Sequence, residues 1–392
     1  MKNLFKLLAA FLLIAVIFRA TQLFHSTPTN ISAAEIAEKT WAGFKYYFIE
    51  PDGRVNRPND NNDTVSEGQA YAMLRAVWMN DRETFDKCYK WTEKNLSRFE
   101  TKGDNLLAWH WKDGQVIDWT PASDADIDYA LALIFADARW KNHIPFKTMN
   151  YSLKAKQILS NILNLETYST SSGRLYLAPW IITGAADANS FPVNPSYYSP
   201  AHFRIFYEYT KDTRWLKLAD TTYYVLNCLT QEFVGHKGIG LVPDWCSVNS
   251  NDRFSLLNGK DNRFGYESIR VPFRIGLDFL WFKNEQAKTF LIRFSDFLDN
   301  QFSANGAVFC EYDYSGRALK KYEDPAFYSC YYYSLAATNS KYTKTALQKN
   351  LWRLKKNNDH WYYQNSQDYY SNCLAWYADG ARAGVIKNLF KE

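Results

Sequence analysis

From residue 32 onward, apolar residues recur every three to four positions through about a dozen segments of similar length. The segments begin near residues 32, 67, 83, 124, 149, 199, 214, 269, 285, 324, 341 and 366, and this period is that of helices buried on one face. Polar start signals precede several of them: Asp63 or Thr64 before the second, Asp81 before the third, Pro121 or Ser123 before the fourth. Strand-like alternation is rare and local. "LLAWHWKDGQVIDW" alternates around Asp113-Gly114 and predicts a hairpin, while "GRLYLAPW" and "GIGLVPDW" predict short extended pieces between helices. No period of 20 to 50 residues repeats, and neither a Gly-rich linker nor a break in composition divides the pattern. One closed helical domain fits it better than two.

The first 25 residues follow another rule. Lys2 and Lys6 lead into "LLAAFLLIAVIF", the length of a signal-peptide core, and Ala20 to Phe24 extend it toward a membrane span. The bulky "RATQLFHS" offers no small-x-small cleavage site. Residues 1–25 therefore read as a signal peptide or an uncleaved signal anchor within residues 4–24, and residues 26–392 as the folded domain. The expected location is outside the cytoplasm, extracellular or periplasmic, with a membrane tether if the segment is retained.

Composition sharpens this picture at one point. The chain is 47% hydrophobic and 22% charged, as a packed globule requires, but 17% aromatic, with 14 Trp, 28 Tyr and 26 Phe. Many of these rings stand in polar company, as in "NPSYYSPAHF" and "DHWYYQNSQDYY". Two readings follow: a half-wet groove that stacks flat ligands, or an aromatic core with hydroxyls at its rim. The net charge of +5 comes from 46 basic and 41 acidic groups that are interspersed, too dilute for a nucleic-acid footprint. Six cysteines (Cys88, Cys228, Cys246, Cys310, Cys330, Cys373) stand singly, without the paired spacing of a zinc site. They read as small buried hydrophobes, or as one or two disulfides in an exported chain.

Candidate chemistry lies in the acids at helix starts. Thr64-Val-Ser-Glu67 matches a capping box, in which Glu67 reaches back to the cap's amide. Asp124, Asp126 and Asp128 open the next acidic helix, where they favour the helix dipole, yet three exceed what capping needs. Asp124 and Asp128 share a face while Asp126 points elsewhere. An EF-hand loop is excluded, because Tyr129 stands at the required Gly and Phe135 at the bidentate Glu. Glu267 is followed at i+3 by Arg270, which either orients the carboxylate or forms an ordinary surface pair. Three acids at one end of a helical barrel, bordered by Trp and Tyr, suit glycoside hydrolysis: one carboxyl protonates the leaving oxygen and another activates water. Competing chemistries lack their motifs, since no HExxH, GxSxG or P-loop occurs.

The stretches "TVSEGQAYAMLRAV", "LLAWHW", "PASDADIDYALALIFADARW", "NPSYYSPAHFRIF", "GLVPDW" and "YESIRVPFRIGLDFLWF", in order between about residues 35 and 380, resemble glycoside hydrolase family 8. That family contains endo-β-1,4-glucanases, chitosanases, licheninases and xylan-acting members. The resemblance implies an all-α (α/α)6 barrel with short β-hairpins in its loops, and an inverting endo-glycosidase acting on β-1,4-glucosidic bonds of cellulose or a bacterial exopolysaccharide. By motif position, Glu67 is similar to the family's general acid and Asp124 to the carboxylate that holds and distorts the sugar. The general base falls at Glu267, where many members carry Asp; the extra methylene narrows the room for water, and Asp261 in the preceding loop is the alternative base. Trp109 and Trp111 are expected to stack on sugars or to pack in the core, Tyr197 to hydrogen-bond near the cleavage point, and Arg270 to orient Glu267. Asp126 and Asp128 are expected to be structural, and Asp244 and Trp245 lie in a matching motif without an assigned role. Two carboxylates and water complete this chemistry, so neither metal nor organic cofactor is expected; the expected partner is a polysaccharide and the expected state a monomer. The alternatives are a chitosanase or xylanase on the same scaffold, the former disfavoured by the basic net charge, and a non-catalytic polysaccharide-binding or assembly protein, which the Glu267 replacement keeps open.

Overall fold

In the computed structural model, residues 31–141, 150–182, 190–233 and 236–392 are described. The apolar segment at residues 4–24, and with it the signal-or-anchor reading, lies outside the described residues. Among those described, no helix is long and apolar enough to cross a membrane.

The helical period resolves into α1 (Ala33–Phe48), α2 (Ser66–Trp78), α3 (Arg82–Asn95), α4 (Ser123–Trp140), α5 (Tyr151–Leu165), α6 (Pro200–Thr210), α7 (Arg214–Gln231), α8 (Arg270–Phe282), α9 (Glu285–Asn305), α10 (Pro325–Ala337), α11 (Thr343–Leu351) and α12 (Tyr369–Leu374). After Ala375, α13 (Trp376–Arg382) continues the direction of α12, and a single-turn helix, Phe99–Lys102, sits in a loop. Every predicted start falls within three residues of an observed one. Two kinds of helix alternate. In α2 every residue but Glu67 is buried, and α4 is buried from Ser123 to Ala136; helices surrounded on all sides bury all faces. By contrast, α3, α5, α7 and α9 bury only a stripe and turn Lys, Glu and Asn outward. The inner members α2, α4, α6, α8, α10 and α12–α13, each buried over more than half its length, pack one on the next in a closed ring, with the striped helices outside. This is the (α/α)6 barrel that the sequence implied.

Starts are set by local chemistry. Asp81, Asn150, Asn284 and Asp324 accept backbone N–H bonds at the first turns of α3, α5, α9 and α10, and Pro200 and Pro325 occupy first-turn positions where an N–H would be unpaired. The predicted hairpin is present. Strands β1 (Thr64–Val65), β2 (His110–Lys112) and β3 (Gln115–Asp118) form a small antiparallel sheet, and Asp113 (φ 49°) and Gly114 (φ 89°) make its turn. Leu175–Leu177 is a strand as expected; the "GIGLVPDW" stretch forms no strand, bending at Ile239–Gly240 and Asp244–Trp245, and the strand Cys246–Val248 follows it. All six cysteines are free thiols and five are buried, so the buried-hydrophobe reading holds.

One expectation is corrected. Thr64 does not cap α2: the cap position is Val65, without a side-chain cap bond. Thr64 is drawn instead into β1, opposite Trp111, and its hydroxyl donates to the Val55 carbonyl at 2.8 Å. Glu67 is thereby free of the capping role.

Candidate active site

The inner helices α2, α4 and α8 begin at the same end of the barrel, and each delivers a charged residue within its first two positions: Glu67, Asp124 and Arg270. Glu267 projects from the turn leading into α8. The three carboxylates converge on one guanidinium. Arg270 Nη1 donates to Glu67 Oε2 at 2.7 Å and to Asp124 Oδ2 at 2.8 Å, and Nη2 donates to Glu267. Arg270 is only 2% exposed, so its contact with Glu267 is no surface pair. Burial alone would weaken its hold on the proton, but the surrounding acids outweigh that and raise its pKa. A fixed cation in a dry floor thus holds three acids that would otherwise repel one another.

The acids are not equivalent. Burial pushes the Glu67 carboxyl up to about 7; Asp124 and Glu267 push the same way, and Arg270 and Arg57 oppose them. Its side chain keeps 20% exposure, so a ligand can reach it. Its other oxygen faces the Tyr369 hydroxyl at 3.5 Å. Asp124 is nearly enclosed, with its second oxygen accepting from the Ala125 backbone at 2.9 Å. Glu267 is one-third exposed and also accepts from Asn194 Nδ2 at 2.8 Å. Its longer side chain therefore folds back onto Arg270 and Asn194.

Around them lies a cleft of about 290 Å³ lined by Arg57, Glu67, Trp109, Asp124, Tyr197, Glu267, Arg270 and Tyr370, among others. Tyr197 ends a short 3-10 turn, Pro195–Tyr197, and its ring lies 5.4 Å from the Arg270 guanidinium carbon. Burial and the nearby Asp124 raise its pKa well, so its hydroxyl stays a donor. Six of the seven residues predicted for the site meet here. Trp111 does not line this cleft: its ring packs edge-on to Trp91 at 5.3 Å and under Arg54. Trp109 lies in a bend before β2 and the register of β2 against β3 shifts between His110 and Trp111, so strict alternation does not relate the two tryptophans. Asp261 also lies apart, exposed and 2.6 Å from Arg263.

Asp126 and Asp128 are structural in this geometry: Asp126 accepts from the Leu107 backbone, and Asp128 forms a two-pronged pair with the buried Arg274, both bonds 2.8 Å. Asp244 braces the turn that carries Glu267, with Oδ1 accepting from Gly265 N, Ser268 N and Ser268 Oγ at 2.7–3.0 Å. Arg57, Asn194 and Tyr370 escaped sequence reasoning. Arg57 and Asn194 sit in loops without periodicity, and Tyr370 reaches the cleft from the far end of the chain; only its polar-aromatic surroundings marked it. Among the described residues no group of three His, Cys, Asp or Glu is placed to hold a metal ion.

The profile of glycosyl hydrolases family 8 matches residues 26–384. Endoglucanase A of Acetivibrio thermocellus is 30% identical over 296 residues, which cover 71% of this chain and 57% of that protein, so the match spans little more than half of that relative. An endoglucanase structure from Komagataeibacter sucrofermentans superimposes with a TM-score of 0.69 at 27% identity, over 88% of this chain and 97% of that one. A β-1,3-1,4-glucanase from Paenibacillus sp. X4 shares the fold with a TM-score of 0.76 at 23% identity, over 91% and 94% of the two chains.

Proposed function

The chain belongs to glycosyl hydrolases family 8, and from that premise we propose that it is an inverting endo-glucanase cleaving β-1,4-glucosidic bonds of a glucan. The observation that carries the reading is the unequal trio on Arg270: a carboxyl held near neutrality at Glu67, facing two others across one cleft. A carboxyl with a pKa of about 7 keeps a proton to give at neutral pH. Glu67 donates it to the glycosidic oxygen as the C1–O bond breaks. Glu267 takes a proton from water, whose oxygen bonds to C1 from the opposite face, so the configuration inverts. Asp124, pinned by Arg270 and its own helix start, holds the sugar beside the broken bond, and the Tyr197 hydroxyl donates to it. Trp109 offers a ring face to a neighbouring sugar. For water to enter, Glu267 must leave the folded-back position in which Arg270 and Asn194 hold it.

The test is reducing-end release by the purified chain and by Glu67→Gln on carboxymethyl-cellulose, mixed-linkage glucan, xylan and chitosan. The variant keeps the side chain's shape and removes the proton donor, so turnover should fall about 10²- to 10⁴-fold with the fold intact. Proton NMR of the first product should show the α-anomer. Binding without release by the wild-type chain would replace this reading with that of a polysaccharide-binding protein.

A further inference from the structure

Beside the carboxylate cleft lies a second, larger recess, and a path of rings joins the two. Tyr197, which lines the cleft, meets Trp245 at 5.8 Å between ring centres, and Trp245 meets Trp180 at 5.8 Å with the planes tilted 41°. Trp180 lines a recess of about 600 Å³ together with Ile181, Pro192, Leu257, Asn258 and Lys260. Its floor is apolar, and among the described residues Lys260 is the one charged residue on its wall. The ammonium stands over both indoles, 4.6 Å from the Trp245 ring centre and 5.6 Å from that of Trp180. Its sequence neighbour Asp261 is engaged by Arg263 at 2.6 Å. Among the described residues, then, Lys260 is held by ring faces and by no carboxylate, an interaction that is weak at an exposed position and easily exchanged for an anion.

We propose that this recess is a subsite for a glucan unit bearing a carboxylate, with Trp180 receiving the sugar face, the buried Trp245 backing it from below, and Lys260 Nζ pairing with the substituent. The proposal rests on the glucanase reading for its polymer. A single lysine matches a singly charged group, and the aromatic floor matches the apolar face of a pyranose. The position also makes physical sense for an acidic polymer. Its charged units are unwelcome among three carboxylates, and Lys260 offers them a place one ring path away from the bond being cut.

The test compares carboxymethyl-cellulose with uncharged hydroxyethyl-cellulose for the wild-type chain, Lys260→Gln and, as a control for overall charge, Lys344→Gln on α11, none of whose residues lines either recess. Lys260→Gln should lower kcat/KM on the carboxylated polymer about three- to fivefold at low salt and leave the neutral polymer unchanged. The difference should vanish at about 0.5 M salt, and Lys344→Gln should match wild type. An unchanged ratio between the two polymers, or an equal loss in Lys344→Gln, overturns the subsite. Affinity electrophoresis of the same proteins in gels holding either polymer reads the subsite without turnover. If the wild-type chain cleaves neither polymer, the glucanase reading falls, while retardation that is selective for the carboxylated gel and lost in Lys260→Gln still supports the subsite; its absence sinks it.

Discussion

At the scale of single residues, Arg270 governs the site more than any acid does. It lowers the Glu67 pKa against the larger effect of burial, and it fixes Asp124 and Glu267 through its other contacts. In the proposed mechanism Glu67 acts in its protonated form, so kcat/KM should decline as pH rises through about 7, the value of that carboxyl. Arg270→Lys keeps the charge and loses the planar fork, so it cannot satisfy three carboxylates at once. A weaker hold on ionised Glu67 raises its pKa further, which moves the alkaline limb to higher pH while kcat falls on the order of 100-fold from misplaced groups. The pH profiles of the two enzymes check this; a limb at the same pH in both would show that Arg270 does not set the proton affinity of Glu67. Of these contacts, local sequence offered only the Arg270–Glu267 pair at i+3. Arg270 lies 203 residues from Glu67 and 146 from Asp124, and the local pattern around Glu67 pointed to a cap that Thr64 does not form. The family motifs supplied the acids, but the folding back of Glu267 onto Asn194 depends on a loop whose sequence has no period to read.

At the scale of elements, legibility follows burial. Helices with a buried stripe announce themselves by period, and even the mostly buried inner helices were found, because polar starts frame their apolar runs. What sequence left undetermined is how closely they approach. Gly276, two turns into α8, faces α10 so tightly that a Cβ there would lie 2.6 Å from Tyr333 Cβ, far inside carbon contact. Alanine would gain about 1 kcal/mol in helix propensity. The struck atom is fixed to the backbone of α10 and cannot rotate away, so overpacking at the upper end of its usual range should win, for a net loss of about 2 kcal/mol. Urea denaturation of Gly276→Ala should show an earlier midpoint. Because α8 carries Arg270, activity should fall with it; a midpoint equal to wild type would mean that the two helices stand further apart.

At the scale of the whole molecule, the barrel has a chemical end and a structural end. Helix starts gather around the acids at one end. At the other, Trp78 closes α2 and Trp281 stands next to last in α8, and the C-terminal tail runs beneath them. Trp78 Nε1 donates to the Lys387 carbonyl at 3.0 Å and Trp281 Nε1 to that of Ile386 at 3.3 Å, while Ile386 and Leu389 are buried. The aromatic richness of the chain accordingly divides between both sequence readings: Trp109, Tyr197 and Tyr370 edge the cleft, and Trp215, Trp376 and Tyr331 are sealed in the core. Ending the chain at Gly384 would remove two buried aliphatic side chains, worth about 1.5–3 kcal/mol each, and leave two indole N–H groups without partners at about 1 kcal/mol each. The expected loss is roughly 5–8 kcal/mol, a large share of the stability of a domain. Yet no residue after Tyr370 lines the cleft. The truncated chain should therefore unfold at a markedly lower temperature in calorimetry while the fraction still folded at low temperature retains the kcat and the pH limb of the full chain. A matching fall in kcat would mean that the tail, from the opposite end of the barrel, also sets the geometry around Arg270.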